Sequence, residues 1–294
     1  MRVVGVIQAG REFSLRIMVP YLLRERHIFD HIELWLNCVG SNKDYLHSLE
    51  RDYNGFFKVV PNPNIPYYAL DDVTHLAANL SDFWGLATDW DTLYVKIDDD
   101  IVWWEEGAIE GLVNFRIEHP PYFQCILATI NNTNCNYLFK EMGVLPVVPD
   151  GCTYSAYCKV CLVNEHEDVH TNQVPVDIHN YFLDHVVGNK DEIAKFHFRH
   201  RELREREITA NQVYAFFGRD YAKMLDHPEL GRMHWDTVSR DEYRYLTETY
   251  PQLTGELNAF YGGHLCSHLS YNFTTDFIYA TDIPDRYRAL SETL

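Results

Sequence analysis

The chain has 294 residues, 46% hydrophobic and 14% aromatic, which is enough to bury a sizeable core in one large domain or two and excludes a disordered chain. Lys plus Arg number 25 against 43 Asp plus Glu, and the net charge of -18 opposes binding to nucleic-acid phosphates and anionic lipid surfaces. The 7 cysteines are odd in number and scattered, as in a reducing compartment and unlike a disulfide framework.

The opening stretch MRVVGVIQAGREF meets charge again at Arg11 and Glu12, too early for a secretory core or a membrane span, so a cytoplasmic protein is expected. In that compartment the sequons at Asn79 and Asn272 carry no meaning. Short apolar runs over 3–7, 32–39, 56–60 and 92–97 read as buried parallel strands. Between them the spacing predicts helices over 14–25, 43–52 and 71–86, the last opened by Asp71 and Asp72 as N-caps. Strand and helix in alternation imply βαβ units, right-handed crossovers and a mostly parallel sheet.

A helix over 105–118 and a strand over 123–129 continue the pattern. Residues 131–172 then have the turn-forming composition of long loops, which on an α/β scaffold shape a binding site. Within them Cys158 and Cys161, with Cys152 and His166 nearby, have the spacing of half a zinc site, but no second CxxC follows and incidental thiols are the favoured reading. A helix over 176–187, a strand over 207–217 and helices near 241–250 and 284–293 complete the chain. No repeat or linker divides it.

The run LYVKIDDDIVWW places Asp98, Asp99 and Asp100 at the carboxyl end of a predicted strand. Side-chain alternation would turn Asp98 and Asp100 to one side and Asp99 to the other. Ligands of open parallel sheets bind at this edge, and two carboxylates held close call for a cation, with oxygen ligands suiting Mg2+ or Mn2+. Acidic caps on a strand-to-helix turn are the plainer alternative; the apolar runs on both sides weigh against it.

A βαβ half ending in KIDDDIVW resembles the nucleotide-binding half of GT-A glycosyltransferases, whose DxD motif holds a divalent metal against the diphosphate of a nucleotide sugar. More narrowly, YVKIDDDIVW, FFGRD and YGGHLCSHLSY together resemble a family of glycosyltransferases of fungi and of the large viruses of chlorella-like algae, the chloroviruses. The resemblance spans most of the chain. It implies a single α/β domain of GT-A type over 1–294, Rossmann-like, with a nucleotide-sugar-binding half at 1–104 and a loop-rich acceptor-binding half at 105–294. Asp98 would lie near the ribose and the metal, Asp100 would ligate the metal directly, and Asp99 would support them.

A histidine near the C-terminus completes the metal site in many members of the fold. His264 is preferred here because it follows Gly262 and Gly263, whose lack of side chains would let the backbone approach the diphosphate; His268 is the alternate. Gln8, Ala9, Gly10 and Arg11 end the first strand, where the fold seats base and ribose. Arg11 meets either phosphate or a neighbouring acid, and Lys96 forms a local ion pair. Arg199 and Arg201 are available for phosphate, although a solvated charged face is the favoured reading of their stretch.

The resemblance places the catalytic base at Asp220 in VYAFFGRDYAKML, with a helix cap as the alternative and Arg219 standing where the family shows an acid. Asp177, Glu202 and Glu205 are rivals. The implied activity is Mn2+- or Mg2+-dependent transfer from a nucleotide-sugar donor, a UDP-sugar and among these UDP-xylose, to a hydroxyl of a glycan or glycoprotein acceptor. Inversion is expected, with Asp220 as the base; a retaining route gains ground if Asp220 only caps. The setting would be the host cytoplasm for a viral member, with neither nucleic acid nor membrane as partner. The competing readings are a metal-dependent phosphohydrolase acting on nucleotide sugars and a non-catalytic carbohydrate-binding protein that stacks sugars on its 20 Tyr, 16 Phe and 6 Trp.

Overall fold

The computed structural model describes residues 1–36, 40–61, 84–148, 150, 173–203, 212–227, 250–251, 254–269 and 278–294. Within them nine strands form one sheet: β1 (Arg2–Ala9), β2 (His31–Leu36), β3 (Phe57–Val60), β4 (Thr92–Ile97), β5 (Ile101–Trp104), β6 (Tyr122–Ile130), β7 (His200–Glu202), β8 (Val213–Phe217) and β9 (Leu257–His268). Their order is β3-β2-β1-β4-β8-β6-β9-β5, with β7 paired to β9. Strands β1, β2, β3, β4, β6 and β9 run one way and β5, β7 and β8 the other. Helices α1 (Glu12–Arg24), α2 (Gly40–Asp52), α3 (Ala108–Glu118), α4 (Thr133–Glu141), α5 (Gln173–Tyr181), α6 (Lys190–Lys195), α7 (Gly218–Leu225) and α8 (Ile283–Ser291) flank it. The result is a Rossmann-like mixed α/β fold with a mostly parallel sheet.

The central strands are apolar without alternation because both faces are covered: every residue of β4 and β6 is buried, as is every residue of β1 after Arg2. One face is filled by aromatics, with Trp35 and Trp84 edge to face at 5.1 Å and Phe216 on Tyr221 at 3.8 Å. Helix α1 packs on β5 and α8. Strands from 1–104 and from 105–294 thus share one hydrogen-bonded sheet.

Several elements differ from expectation for local reasons. The helix expected from residue 105 starts at Ala108, because Gly107 takes a left-handed φ of 79° just before it. The stretch read as loop after residue 131 begins with helix α4, whose N-cap is Asn132: the asparagines that look turn-forming terminate and cap. The helix over 176–187 is an α-helix to Tyr181 followed by a π turn over Phe182–Val186. Strands β5, β7 and β9 are not among the expected ones. Most of the predicted helices over 71–86 and 241–250, both sequons, the cysteine and histidine group at 152–166, and residues 207–211 of the predicted strand over 207–217 lie outside the described residues. Cys125, Cys135 and Cys266 are buried free thiols. Among the described residues no helix is long and apolar enough to cross a membrane.

Strand direction sorts the residues between two edges. Ile97 of β4 lies opposite Ile7 of β1 and opposite Val213 of antiparallel β8, while Leu93 lies opposite Phe217. The carboxyl ends of β1, β4, β6 and β9 therefore share an edge, and α7 leaves β8 at the other.

Candidate functional site

Because Ile7 and Ile97 are partners, the residues that follow them emerge side by side at the carboxyl edge. The aspartates form a turn there: the Ile101 amide donates to the Asp98 carbonyl at 3.2 Å, and the Asp98 amide donates to the Gln212 carbonyl at 2.8 Å. The three carboxylates part by turn geometry, without the strand alternation expected of them. Asp98 Oδ1 accepts from Lys96 Nζ, a lysine with no exposed side chain. Asp99 Oδ2 accepts the amides of Gly10 and Arg11 at 2.7 and 2.8 Å, and its Oδ1 takes Arg11 Nη1 at 2.7 Å. The same Nη1 reaches Asp100 Oδ2 at 2.8 Å, and Asp100 Oδ1 lies 2.9 Å from His268 Nε2. Asp99 thus fixes the β1–α1 loop, and Asp99 beside it holds the Arg11 guanidinium more firmly protonated than usual.

One ligand atom each from Asp98, Asp100 and His268 lie within 4.8 Å of one another. Two carboxylate oxygens and an imidazole nitrogen compose a donor set for a divalent cation. Lys96 and Arg11 bring positive charge to the triplet, at Asp98 and at Asp99 and Asp100 respectively. His268 Nδ1 is buried without a hydrogen-bond partner among the described residues. The residues fit a metal.

Beside the triplet a cavity of about 430 Å³ is lined by Gly10, Arg11, Glu12, Phe13, Asn42 and Tyr279, within the range of small-molecule sites. Asn42 Nδ2 donates to the Gly10 carbonyl at 3.1 Å. The Tyr279 ring stands edge-on to Phe13 at 5.5 Å, with its hydroxyl 3.3 Å from Ser14 Oγ. Of the four residues expected to seat a nucleotide from β1, Gly10 and Arg11 reach this cavity, whereas Gln8 and Ala9 are buried in the strand that leads to it.

His264, the preferred ligand from sequence, is elsewhere. Along β6 and β9 the register steps from Leu127↔Tyr261 to Ala128↔Leu265, so Gly262, Gly263 and His264 bulge out of the ladder. Without the bulge His264 and His268 would share a face. His264 Nδ1 instead bonds the Tyr261 hydroxyl at 2.8 Å, and its ring lies 6.1 Å from that of His197, which is paired with Glu105 at 2.9 Å. Burial pushes this imidazole towards its neutral form. The glycines serve packing: a Cβ on Gly262 would fall 2.4 Å from the Phe198 ring. His268, at the end of the same strand, is the histidine beside Asp100.

Asp220 is also not at the triplet. It lies in the first turn of α7, past Phe217, at the edge opposite Asp98. Its Oδ2 takes Arg116 Nη2 at 2.7 Å and its Oδ1 lies 3.7 Å from Lys223 Nζ. Burial raises its pKa, with Arg116, Lys223 and Arg219 pulling the other way. Glu202 accepts from the Tyr122 hydroxyl at 2.9 Å, and Asp177 from Gln173 at 2.9 Å on an exposed helix surface. Glu205 lies outside the described residues. Arg201 pairs with Phe260 in the first half of β9, so the stretch carrying Arg199 and Arg201 is not at the His268 end.

Sequence reasoning missed Asn131, Asn132, Gln212 and Tyr279. Asn131, at a φ of 66°, donates from Nδ2 to the carbonyls of His268 and Leu269 at 3.1 and 3.4 Å. Asn132 caps α4 through Asn134 and Cys135 and donates to Gln212 Oε1 at 2.9 Å. An asparagine pair directly after an apolar strand is a local signal for a left-handed residue followed by an N-cap.

No family model matches the chain, and no curated protein matches it. Among solved structures it is similar to 4-diphosphocytidyl-2C-methyl-D-erythritol synthase from Anaerococcus prevotii, at 12% identity and a TM-score of 0.44 over 95% of this chain and 97% of that one. It is also similar to CMP:2-keto-3-deoxy-manno-octonic acid synthetase complexed with CTP, at 9% identity and a TM-score of 0.46 over 100% and 99%. At these values neither likeness bears on activity.

Proposed function

We propose that the chain is a metal-dependent glycosyltransferase of GT-A type. It takes a sugar from a nucleoside diphosphate sugar, first a UDP-sugar such as UDP-xylose, and passes it in the cytoplasm to a hydroxyl of a glycan or glycoprotein acceptor. The observation that carries this reading is the meeting of Asp98, Asp100 and His268 within 4.8 Å at the carboxyl edge of the sheet, beside the cavity under Gly10 and Phe13.

Asp98, Asp100 and His268 would hold Mn2+ or Mg2+. Such a cation supplies positive charge that neutralises a departing diphosphate. The chain's own groups prepare the place. Lys96 holds Asp98 against the triplet turn, and Asp99 fixes the loop beside the cavity through the Gly10 and Arg11 amides. Phe13 and Tyr279 offer ring faces and edges to a base or a sugar. Asp220 serves the Arg116 ion pair at the other edge and takes no part in the proposed site.

A thermal-shift panel of nucleotide sugars, with and without Mn2+, followed by product analysis with acceptors, tests this. A selective rise for one UDP-sugar that requires Mn2+, together with acceptor-dependent turnover, is expected. Phosphate release at a rate independent of acceptor, or glycan binding that needs neither metal nor nucleotide, would overturn it.

A further inference from the structure

Arg11 belongs to both parts of the site. Its Nη1 bridges Asp99 Oδ1 and Asp100 Oδ2, whose side chains are 10% and 4% exposed, while the arginine side chain itself is 45% exposed and lines the cavity. Both ion pairs run through that one nitrogen, which leaves Nε and Nη2 of a guanidinium fork for another anion. Asp100 is shared as well: Oδ2 holds Arg11, and Oδ1 faces His268. A divalent cation on Asp98, Asp100 and His268 would compete with Arg11 for the charge of one carboxylate. The Arg11 backbone stays tied to Asp99 Oδ2 at 2.8 Å whatever the side chain does.

We propose that Arg11 is an exchangeable counter-ion: it balances Asp99 and Asp100 in the absence of a divalent cation, and turns into the cavity to clamp the phosphate groups of the ligand once a cation neutralises Asp100. This rests on the reading of Asp98, Asp100 and His268 as a cation site. It makes the cation and the phosphate ligand bind cooperatively through one side chain, without any larger rearrangement.

The test is calorimetry on the whole chain with Mn2+ alone, and with inorganic pyrophosphate at saturating Mn2+, comparing the unsubstituted protein with Arg11→Gln and Arg11→Lys. Arg11→Gln removes the competitor and should tighten Mn2+ binding roughly fivefold to tenfold, while weakening pyrophosphate roughly tenfold or more. Arg11→Lys keeps the charge but loses the fork, so Mn2+ affinity should stay near that of the unsubstituted protein while pyrophosphate again weakens. Mn2+ binding that is unchanged or weaker in Arg11→Gln overturns the proposal, as does undiminished pyrophosphate affinity in either variant; should Arg11→Gln fail to fold, the pyrophosphate result with Arg11→Lys decides. Absence of Mn2+ binding by the unsubstituted protein removes the cation site and this role together. Mn2+ and pyrophosphate binding in the predicted pattern without sugar transfer upholds the clamp and removes only the glycosyltransferase reading.

Discussion

His179 is fully buried in α5, with Nδ1 2.9 Å from the Tyr287 hydroxyl, which in turn lies 2.8 Å from Ser267 Oγ beside His268. Burial brings its pKa from the ordinary 6.5 down to about 3. The folded value is the lower one, so as the pH falls the unfolded chain takes up the proton first. Stability present above pH 6.5 is lost progressively towards pH 3, amounting at pH 5 to about 2 kcal/mol. Denaturant unfolding of His179→Gln should therefore depend less steeply on pH between 6.5 and 4 than unfolding of the unsubstituted protein. An identical slope would show that the folded chain protonates His179 freely. The same lesson in residue physics applies to Asp98, Asp99 and Asp100, three identical neighbours in different surroundings: a buried lysine for the first, two backbone amides and Arg11 for the second, and the same Arg11 with a nearby histidine for the third.

Glu25, 2% exposed, shows how elements are joined. From the end of α1 its Oε1 accepts from Trp104 Nε1 at 2.9 Å in β5, and its Oε2 accepts the Ile109 amide at 3.1 Å in the first turn of α3. Arg24 Nη2 donates to the Trp104 carbonyl at 3.0 Å beside it. Glu25→Ala leaves two buried donors unmet and should lower the unfolding free energy in urea by about 2–3 kcal/mol; a change no larger than that of an exposed helix substitution would contradict this cross-element role. Elements of this kind were unevenly legible. β1 after Arg2 and β4 are buried on both faces, a pattern that needs no partner to be read, while β2 with its half-buried Glu33 and edge strand β3, buried only at Phe57, were legible from their short apolar runs. β9 was not legible as a strand because Gly262 and Gly263 interrupt it, and only the register against β6 shows them to be a bulge in a 12-residue strand. β5 is four residues long and follows an acidic turn, so the same letters looked like a flank of the triplet.

Across the whole molecule the sheet has two edges, and the candidate site was legible only as far as local sequence reaches. The triplet and the QAGRE strand end are contiguous runs whose meeting follows from parallel pairing of β1 with β4. Asp220 was misplaced because its edge depends on the antiparallel course of β8, and the choice between His264 and His268 depends on a bulge. Neither is written in residues nearby. The proposed cation site at the carboxyl edge would join these elements into one function, and Mn2+ titration in the presence of UDP, followed by the paramagnetic resonance of free Mn2+, examines it in Asp100→Ala, His268→Ala and His264→Ala. Mn2+ affinity should fall on the order of 100-fold in Asp100→Ala and on the order of tenfold in His268→Ala, and stay unchanged in His264→Ala. Binding that survives in His268→Ala and disappears in His264→Ala, or that is indifferent to all three, would contradict the site.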